Sequence, residues 1–487
     1  MRKQMRKTLC LLPLASALLL SGCISLAPDY ERPEAPVEQA WPQDEATKNA
    51  ALLTQGLQKW SEFFTDERLN QVIELGLRNN RSLRSAFYAV EQARAQYSIS
   101  RSELLPSVAL QAQESAGRTP ASTSALGKDS TTHTYSANAA MASYELDLFG
   151  RIRNLNEQAL QAYFQTQAAQ RTAQMTVITE IAQTWLGLGA SKDMLKLAQN
   201  TYDSQSESLK LIEKSYELGA SSMLEVQQAM QTVATAKAAA VQAERAVAQY
   251  RNALNVLTGV TVPAELEPEG LKADVTLSQV SVASDIPSEV LLARPDIASA
   301  EAALRSANAN IGVARAAFFP SITLTGSAGA VSGELNELFN GGTHSWSFVP
   351  SITLPIFTGG ANIANLRAAE AYQKKTLADY ELAIQTAFQE VADALATEGT
   401  VSEELKAQQQ LAAATAETLR LSEERYKNGA DSYLEVLDSQ RANFSAQQAV
   451  ISAQLSRAAS LVTLYKVLGG GSQLEESSAT NAGSEAK

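Results

Sequence analysis

Four stretches of this chain recur in the same order at a spacing of about 210 residues, the mark of an internal duplication. Ala95-Gln96-Tyr97-Ser98-Ile99-Ser100-Arg101 with Leu104-Leu105-Pro106-Ser107 matches Ala309-Asn310-Ile311-Gly312-Val313-Ala314-Arg315 with Phe318-Phe319-Pro320-Ser321. Leu146-Asp147-Leu148-Phe149-Gly150 matches Leu354-Pro355-Ile356-Phe357-Thr358. Tyr216-Glu217-Leu218-Gly219-Ala220 matches Tyr426-Lys427-Asn428-Gly429-Ala430, and the match runs on to Leu224-Glu225-Val226 and Leu434-Glu435-Val436. Asn255-Val256-Leu257-Thr258-Gly259 matches Lys466-Val467-Leu468-Gly469-Gly470. Chance does not keep four matches in order. The fold must be two copies of one unit, repeat 1 over 63–259 and repeat 2 over 288–470, with residues 24–62, 260–287 and 471–487 outside them.

Each copy opens with a helix, over 66–104 and 288–318, ended by a Pro-Ser step because proline cannot continue a helix. Two strands follow, at 107–117 and 135–148, and again at 321–331 and 345–357. Then comes a proline-free helix over 151–216 or 361–426. About 66 residues at about 1.5 Å each span roughly 100 Å, where an ordinary helix has about 11 residues. A glycine turn, Gly219 or Gly429, closes it, and a helix returns over 222–257 or 432–468. Ile178, Ile181, Ala182, Trp185 and Leu188-Gly189 recur at helical spacing among small residues. That pattern suits long seams of packed helices, which isolated helices in water could not sustain.

The strands alternate. Val108, Leu110 and Ala112 interleave with Ser107, Gln111 and Gln113; Ile322 and Leu324 with Ser321, Thr323 and Thr325; Trp346, Phe348 and Ile352 with Ser345, Ser347, Ser351 and Thr353. The segment 135–148 loses its phase near Met141. Period-two alternation puts one face in an apolar medium and one in water. About ten residues is the length of a tilted membrane strand. Four strands cannot close a barrel, whose smallest size is about eight, and open edges are intolerable in lipid. Several chains must therefore join; two copies would give eight strands with a filled interior, three would give twelve.

Arg2, Lys3, Arg6 and Lys7 precede an apolar run from Leu9 to Leu20, too short to span a bilayer. It is an export signal over 1–22. Leu20-Ser21-Gly22-Cys23 resembles a lipobox, so Cys23 is expected to become the lipidated N-terminus, with that lipid the chain's one covalent addition and no other cofactor. Ile24 follows, which favours the outer membrane. Cys10 leaves with the signal, so no disulfide forms. The signal carries four basic and no acidic residues, which takes the net charge from −12 to about −16 and excludes a nucleic-acid partner.

Further landmarks are Pro28-Asp29-Tyr30 with Arg32-Pro33, Tyr144-Glu145-Leu146-Asp147-Leu148-Phe149-Gly150-Arg151, Arg294-Pro295-Asp296-Ile297, and Thr386-Ala387-Phe388-Gln389-Glu390-Val391-Ala392-Asp393. With Ala316-Ala317-Phe318-Phe319-Pro320-Ser321 they resemble the TolC family of outer membrane factors, and within it the lipoprotein, OprM-like branch. The resemblance implies a mainly α fold with membrane β. Each protomer would give four strands to a trimeric twelve-stranded β-barrel and long helices to a trimeric twelve-helix α-barrel, with a small mixed equatorial domain. It also implies a multidrug exit duct anchored to outer-membrane lipid, working with a periplasmic adaptor (membrane fusion) protein and an inner-membrane resistance-nodulation-division transporter.

The turns carry the candidate sites. Leu434, Asp438 and Arg441 share one helical face, with Glu435 and Asp438 three apart; repeat 1 has Leu224, Glu225, Gln228 and Gln231 instead. In a trimer these carboxylates form rings that bind or select cations. The resemblance makes Leu434, Glu435, Asp438, Arg441 and Tyr426 a periplasmic gate. It makes Gly219, Ala220, Ser221, Leu224, Glu225, Gly429, Ala430, Asp431 and Ser432 adaptor-docking tips. Some relatives place an arginine two residues beyond the tip glycine, where this chain has Asp431.

His133 and His344 are expected in polar inter-strand loops without metal-ligand spacing, and no phosphate loop or nucleophile elbow occurs. An enzyme is therefore not expected. The same duct could serve type I protein secretion or metal export, and a helical spacer lipoprotein without a pore is the plainer alternative.

Overall fold

Alternating Ser/Thr and aliphatic residues fold as one antiparallel sheet in the order β1 (Val108–Thr119), β2 (Ser130–Leu146), β3 (Ser321–Ser332), β4 (His344–Thr353). The chain is seen in a computed structural model that describes residues 24–38, 59–125, 127–271, 291–292 and 294–470. Cys23, most of the expected 260–287 linker and the 471–487 tail lie outside the described residues. Each repeat supplies one hairpin, and β2 joins β3 across the duplication.

The register sorts the side chains by face. Leu110, Ala139, Ala328 and Trp346 lie in one row across all four strands; Gln111, Asn138, Gly329 and Ser345 lie in the next. Paired residues share a face, so one side is apolar around Leu110 and Trp346, with Glu114, Arg118 and His133 toward the first hairpin's turn, and the other side is polar and, Glu145 apart, uncharged. Among the described residues nothing covers the apolar side, where Leu110 is 88% and Trp346 71% exposed. Strands β1 and β4 are edges without a partner among the described residues.

The loss of phase at Met141 has a physical cause. Between Met141 and Tyr144 the register against β3 shifts, and Ser143 takes a φ of 47°. This β-bulge moves the apolar face from Ala137, Ala139 and Met141 to Tyr144 and Leu146.

Strand β2 begins at Ser130, ahead of the expected 135, because Ser130-Thr131-Thr132 extend its pairing with β1. His133 is thus a strand residue opposite Ala116, with Nδ1 3.1 Å from Glu114 Oε1, and not a loop residue. His344 likewise opens β4.

The helices are α1 (Trp60–Phe63), α2 (Glu67–Asn79), α3 (Arg81–Ser102), α4 (Arg151–Glu217), α5 (Met223–Thr258), α6 (Pro295–Ala316), α7 (Ala361–Lys427) and α8 (Tyr433–Val467). The two long ones, α4 and α7, each have 67 residues. The expected helix over 66–104 is broken at Asn80, whose extended ψ of 129° ends α2 and whose side chain accepts from Leu83 N at 2.9 Å to start α3. Its repeat-2 counterpart begins at the equivalent place, Pro295, and α3 and α6 both have 22 residues. No helix among the described residues is long and apolar enough to cross a membrane.

The chain divides into two compact units. One (Met1–Glu34, Val90–Thr166, Ala300–Tyr380) holds the sheet; there Glu301 accepts from Arg32, Arg305 and Tyr30, fastening the N-terminal segment to α6. The other (Ala35–Ala89, Gln167–Ser299, Glu381–Lys487) holds the helical core. In it Ile178, Ile181, Ala182, Trp185 and Leu188 are all buried, as their spacing predicts, and Trp185 Nε1 donates to Leu266 O at 2.9 Å.

Candidate functional site at the helical turns

Both turns are built alike, from glycine outward. Gly219 and Gly429 have φ of 78° and 70°, a left-handed conformation that glycine adopts without strain. Gly219 N donates to Tyr216 O and Ala220 N to Ser215 O, both at 2.9 Å. Gly429 N and Ala430 N repeat the pattern on Tyr426 O and Arg425 O at the same distance. These paired bonds are the Schellman motif, which satisfies the last carbonyls of α4 and α7.

The helices then restart differently. Ser222 and Glu225 form a capping box, with bonds of 3.0 and 3.3 Å, so Glu225 is engaged in starting α5. Ser432 holds the equivalent place before α8 with no side-chain cap.

The two turns meet in one apolar cluster. Ile212, Val226 and Ala229 of repeat 1 pack with Tyr433, Val436 and Leu437 of repeat 2, and Leu209, Leu419 and Tyr426 close around them. The Tyr426 and Tyr433 rings lie 5.5 Å apart. Burial pushes the Tyr433 hydroxyl up to about 12 and raises Tyr426 as well, so both stay neutral phenols. Sequence reasoning missed Tyr433, Val436 and Leu437 as the tip's core. Their signal was the apolar spacing of 433, 436 and 437 on one helical face.

Polar groups ring this cluster. Arg425 donates to both oxygens of Asp431, at 2.6 and 2.8 Å, and holds that carboxyl below its ordinary value. Arg441 pairs with Asp438 one turn earlier, and Ser422 with Ser439 at 2.9 Å. Arg420 sits between Glu417 and Glu424. Leu434 and Glu435 are exposed beside the cluster, and Leu224 is exposed in the first turn. Gly219, Ala220, Gly429, Ala430 and Ser432 are exposed; Ser221 and Asp431 are half-buried. The structure thus brings Tyr426, Asp438 and Arg441 into defined contacts and leaves Leu434 and Glu435 open. Among the described residues no group of three or more His, Cys, Asp or Glu could hold a metal ion.

Residues 72–260 and 286–470 match the family described as "Outer membrane efflux protein". The chain belongs to the outer membrane efflux protein family. The match falls in two parts, one on each repeat, so the duplication belongs to the family. The chain is 44% identical over 468 residues to "Probable efflux pump outer membrane protein TtgC" of Pseudomonas putida, covering 95% of this chain and 96% of that one. A solved membrane protein from Pseudomonas aeruginosa superposes with a TM-score of 0.85 at 40% identity, covering 92% of this chain and 98% of the other. The open state of the MtrE outer membrane channel of Neisseria gonorrhoeae gives 0.82 at 38% identity, with 92% and 99% covered. The TolC-like fold class read from the landmarks therefore holds along the chain, and this outer membrane efflux protein is a channel component.

Proposed function

We propose that this chain is the lipid-anchored exit duct of a tripartite multidrug efflux pump. Three copies close their sheets into one twelve-stranded barrel through the outer membrane. The long α-helices form the periplasmic duct. Drugs and other small molecules pass passively from an inner-membrane resistance-nodulation-division transporter, through a periplasmic adaptor, to the exterior. The chain performs no catalysis; the transporter supplies the energy.

The observation that carries this reading is the open sheet. Its apolar side is exposed, its other side is polar and, Glu145 apart, uncharged, and both edges lack partners among the described residues. Lipid against one face, water against the other and strands of neighbouring copies at the edges satisfy all of these at once. The family and the names of its relatives support the efflux role.

The turns supply the gate. Leu434 narrows the passage, and Glu435 and Asp438 ring it with carboxylates. The exposed small residues Gly219, Ala220, Gly429 and Ala430, with Asp431 and Ser432, form the face on which adaptor hairpins dock. Cys23 carries the acyl anchor.

Deletion of the gene tests the role. Susceptibility should rise to several unrelated dyes and antibiotics and return with the gene. Unaltered susceptibility in a strain whose other exit ducts are deleted contradicts it.

A further inference from the structure

The bases of the two helical hairpins differ as much as their tips. In repeat 1 the Asn80 side-chain amide donates to Leu257 O, in the last turn of α5, at 2.6 Å. In repeat 2, Arg294 Nη1 donates to Val467 O, the last residue of α8, at 2.8 Å. The alignment that pairs Ala95 with Ala309 pairs Asn80 with Arg294. One position of the duplicated unit therefore holds the end of both return helices.

Arg294 does more than its counterpart. Its Nε and Nη2 donate to Asp296 at 3.1 and 2.7 Å, and Nη2 donates to Glu390 Oε2 of α7 at 2.7 Å. The side chain is only 9% exposed. It thus ties the start of α6, the middle of α7 and the end of α8. Asn80 makes no such bond to Glu180, the counterpart of Glu390 on α4, among the described residues.

We propose that Arg294 is the positioning residue for channel opening: it fixes the base of the α7–α8 hairpin so that its tip alone yields. The inference rests on reading the 433–441 tip as the gate. A buried guanidinium sharing several charge-assisted bonds is strong and little affected by salt. The tip pairs Arg441–Asp438 and Arg425–Asp431 involve exposed arginines, where such links are weak and screened. The hairpin is therefore firm at one end and soft at the other, and local opening begins where stability is lowest. Without the clasp, α7 and α8 can slide along each other, and the register that closes the tip is lost.

Single-channel recording in planar bilayers tests this, with trimer melting measured in parallel. Arg294→Asn, which installs the repeat 1 residue, should raise open probability roughly tenfold, the scale of one lost bond to a charged group. Arg294→Lys keeps the charge without the fork and should fall between; it also serves if the asparagine variant assembles poorly. Asn80→Ala should lower the melting temperature while leaving open probability at the wild-type value. Equal changes from Arg294→Asn and Asn80→Ala would overturn the proposal, since stability alone would then account for both. Asp438→Ala separates it from the gate reading. If Asp438→Ala alters conductance and Arg294→Asn does not alter opening, the gate stands and the clasp falls. If neither alters it, both fall.

Discussion

Arg425 closes a bidentate pair with Asp431 across the second turn, at 2.6 and 2.8 Å. Here the carboxylate lies beyond the tip glycine Gly429 and the guanidinium before it. The pair stays within one chain and stiffens one turn.

It has a pH consequence. Arg425 holds the Asp431 carboxyl below its ordinary value. A depressed folded value means that the stabilisation is fully present above the unfolded value of about 3.9 and is lost as pH falls through the lower folded one. Amide exchange in 426–432 should therefore be flat with pH, after correction for intrinsic rates, from neutral down to about pH 4 and accelerate below it. Asp431→Asn should exchange fast throughout. Equal protection of the two at neutral pH would contradict this.

The charge at the proposed gate is unequally shared. Asp438 is compensated by Arg441 in its own helix, and Glu435 is exposed with no ion pair among the described residues. Glu435→Gln should lower cation selectivity, read as a reversal potential moving toward zero in a salt gradient. Asp438→Ala leaves Arg441 uncompensated and should move it further, toward anion preference. An unmoved reversal potential in both variants removes the carboxylate ring.

The faces of the sheet make a third test. Leu110→Arg puts a charge on the apolar side, where the cost near mid-bilayer is about 2–4 kcal/mol. Gln111→Arg, one residue on, faces the polar side. The first should deplete heat-resistant oligomer from the outer membrane; the second should leave it intact and reduce conductance. The opposite order would assign the faces wrongly.

Much of this was legible in the sequence because it is periodic. Serine and threonine alternating with aliphatic residues gave the strands and their faces, and the lost phase at Met141 was the bulge at Ser143. Glycines marked both turns. The break at Asn80 was overlooked because the flanking segments both suit a helix; the signals were Asn79-Asn80, residues that favour caps, and Arg294-Pro295 at the same place in the other repeat. The Arg425–Asp431 pair was hidden because a left-handed turn lies between them, and no helical spacing applies. Tyr433 joins the core, but its repeat 1 counterpart Met223 is exposed, so the duplication itself misleads there.

The Cys23 anchor is checked by labelling. Cells given radiolabelled palmitate should label the wild-type chain and not Cys23→Ser. Equal labelling of the two would place the lipid elsewhere.

The central claim is that separate chains close the sheet, β1 of one against β4 of the next. Cysteines placed along β1 and β4, joined by a short thiol-specific cross-linker in intact outer membranes, test it most directly. The account predicts covalent dimers and trimers between chains, with nothing larger than a trimer. Only monomers across the whole set of positions, or a ladder running past three, would contradict it.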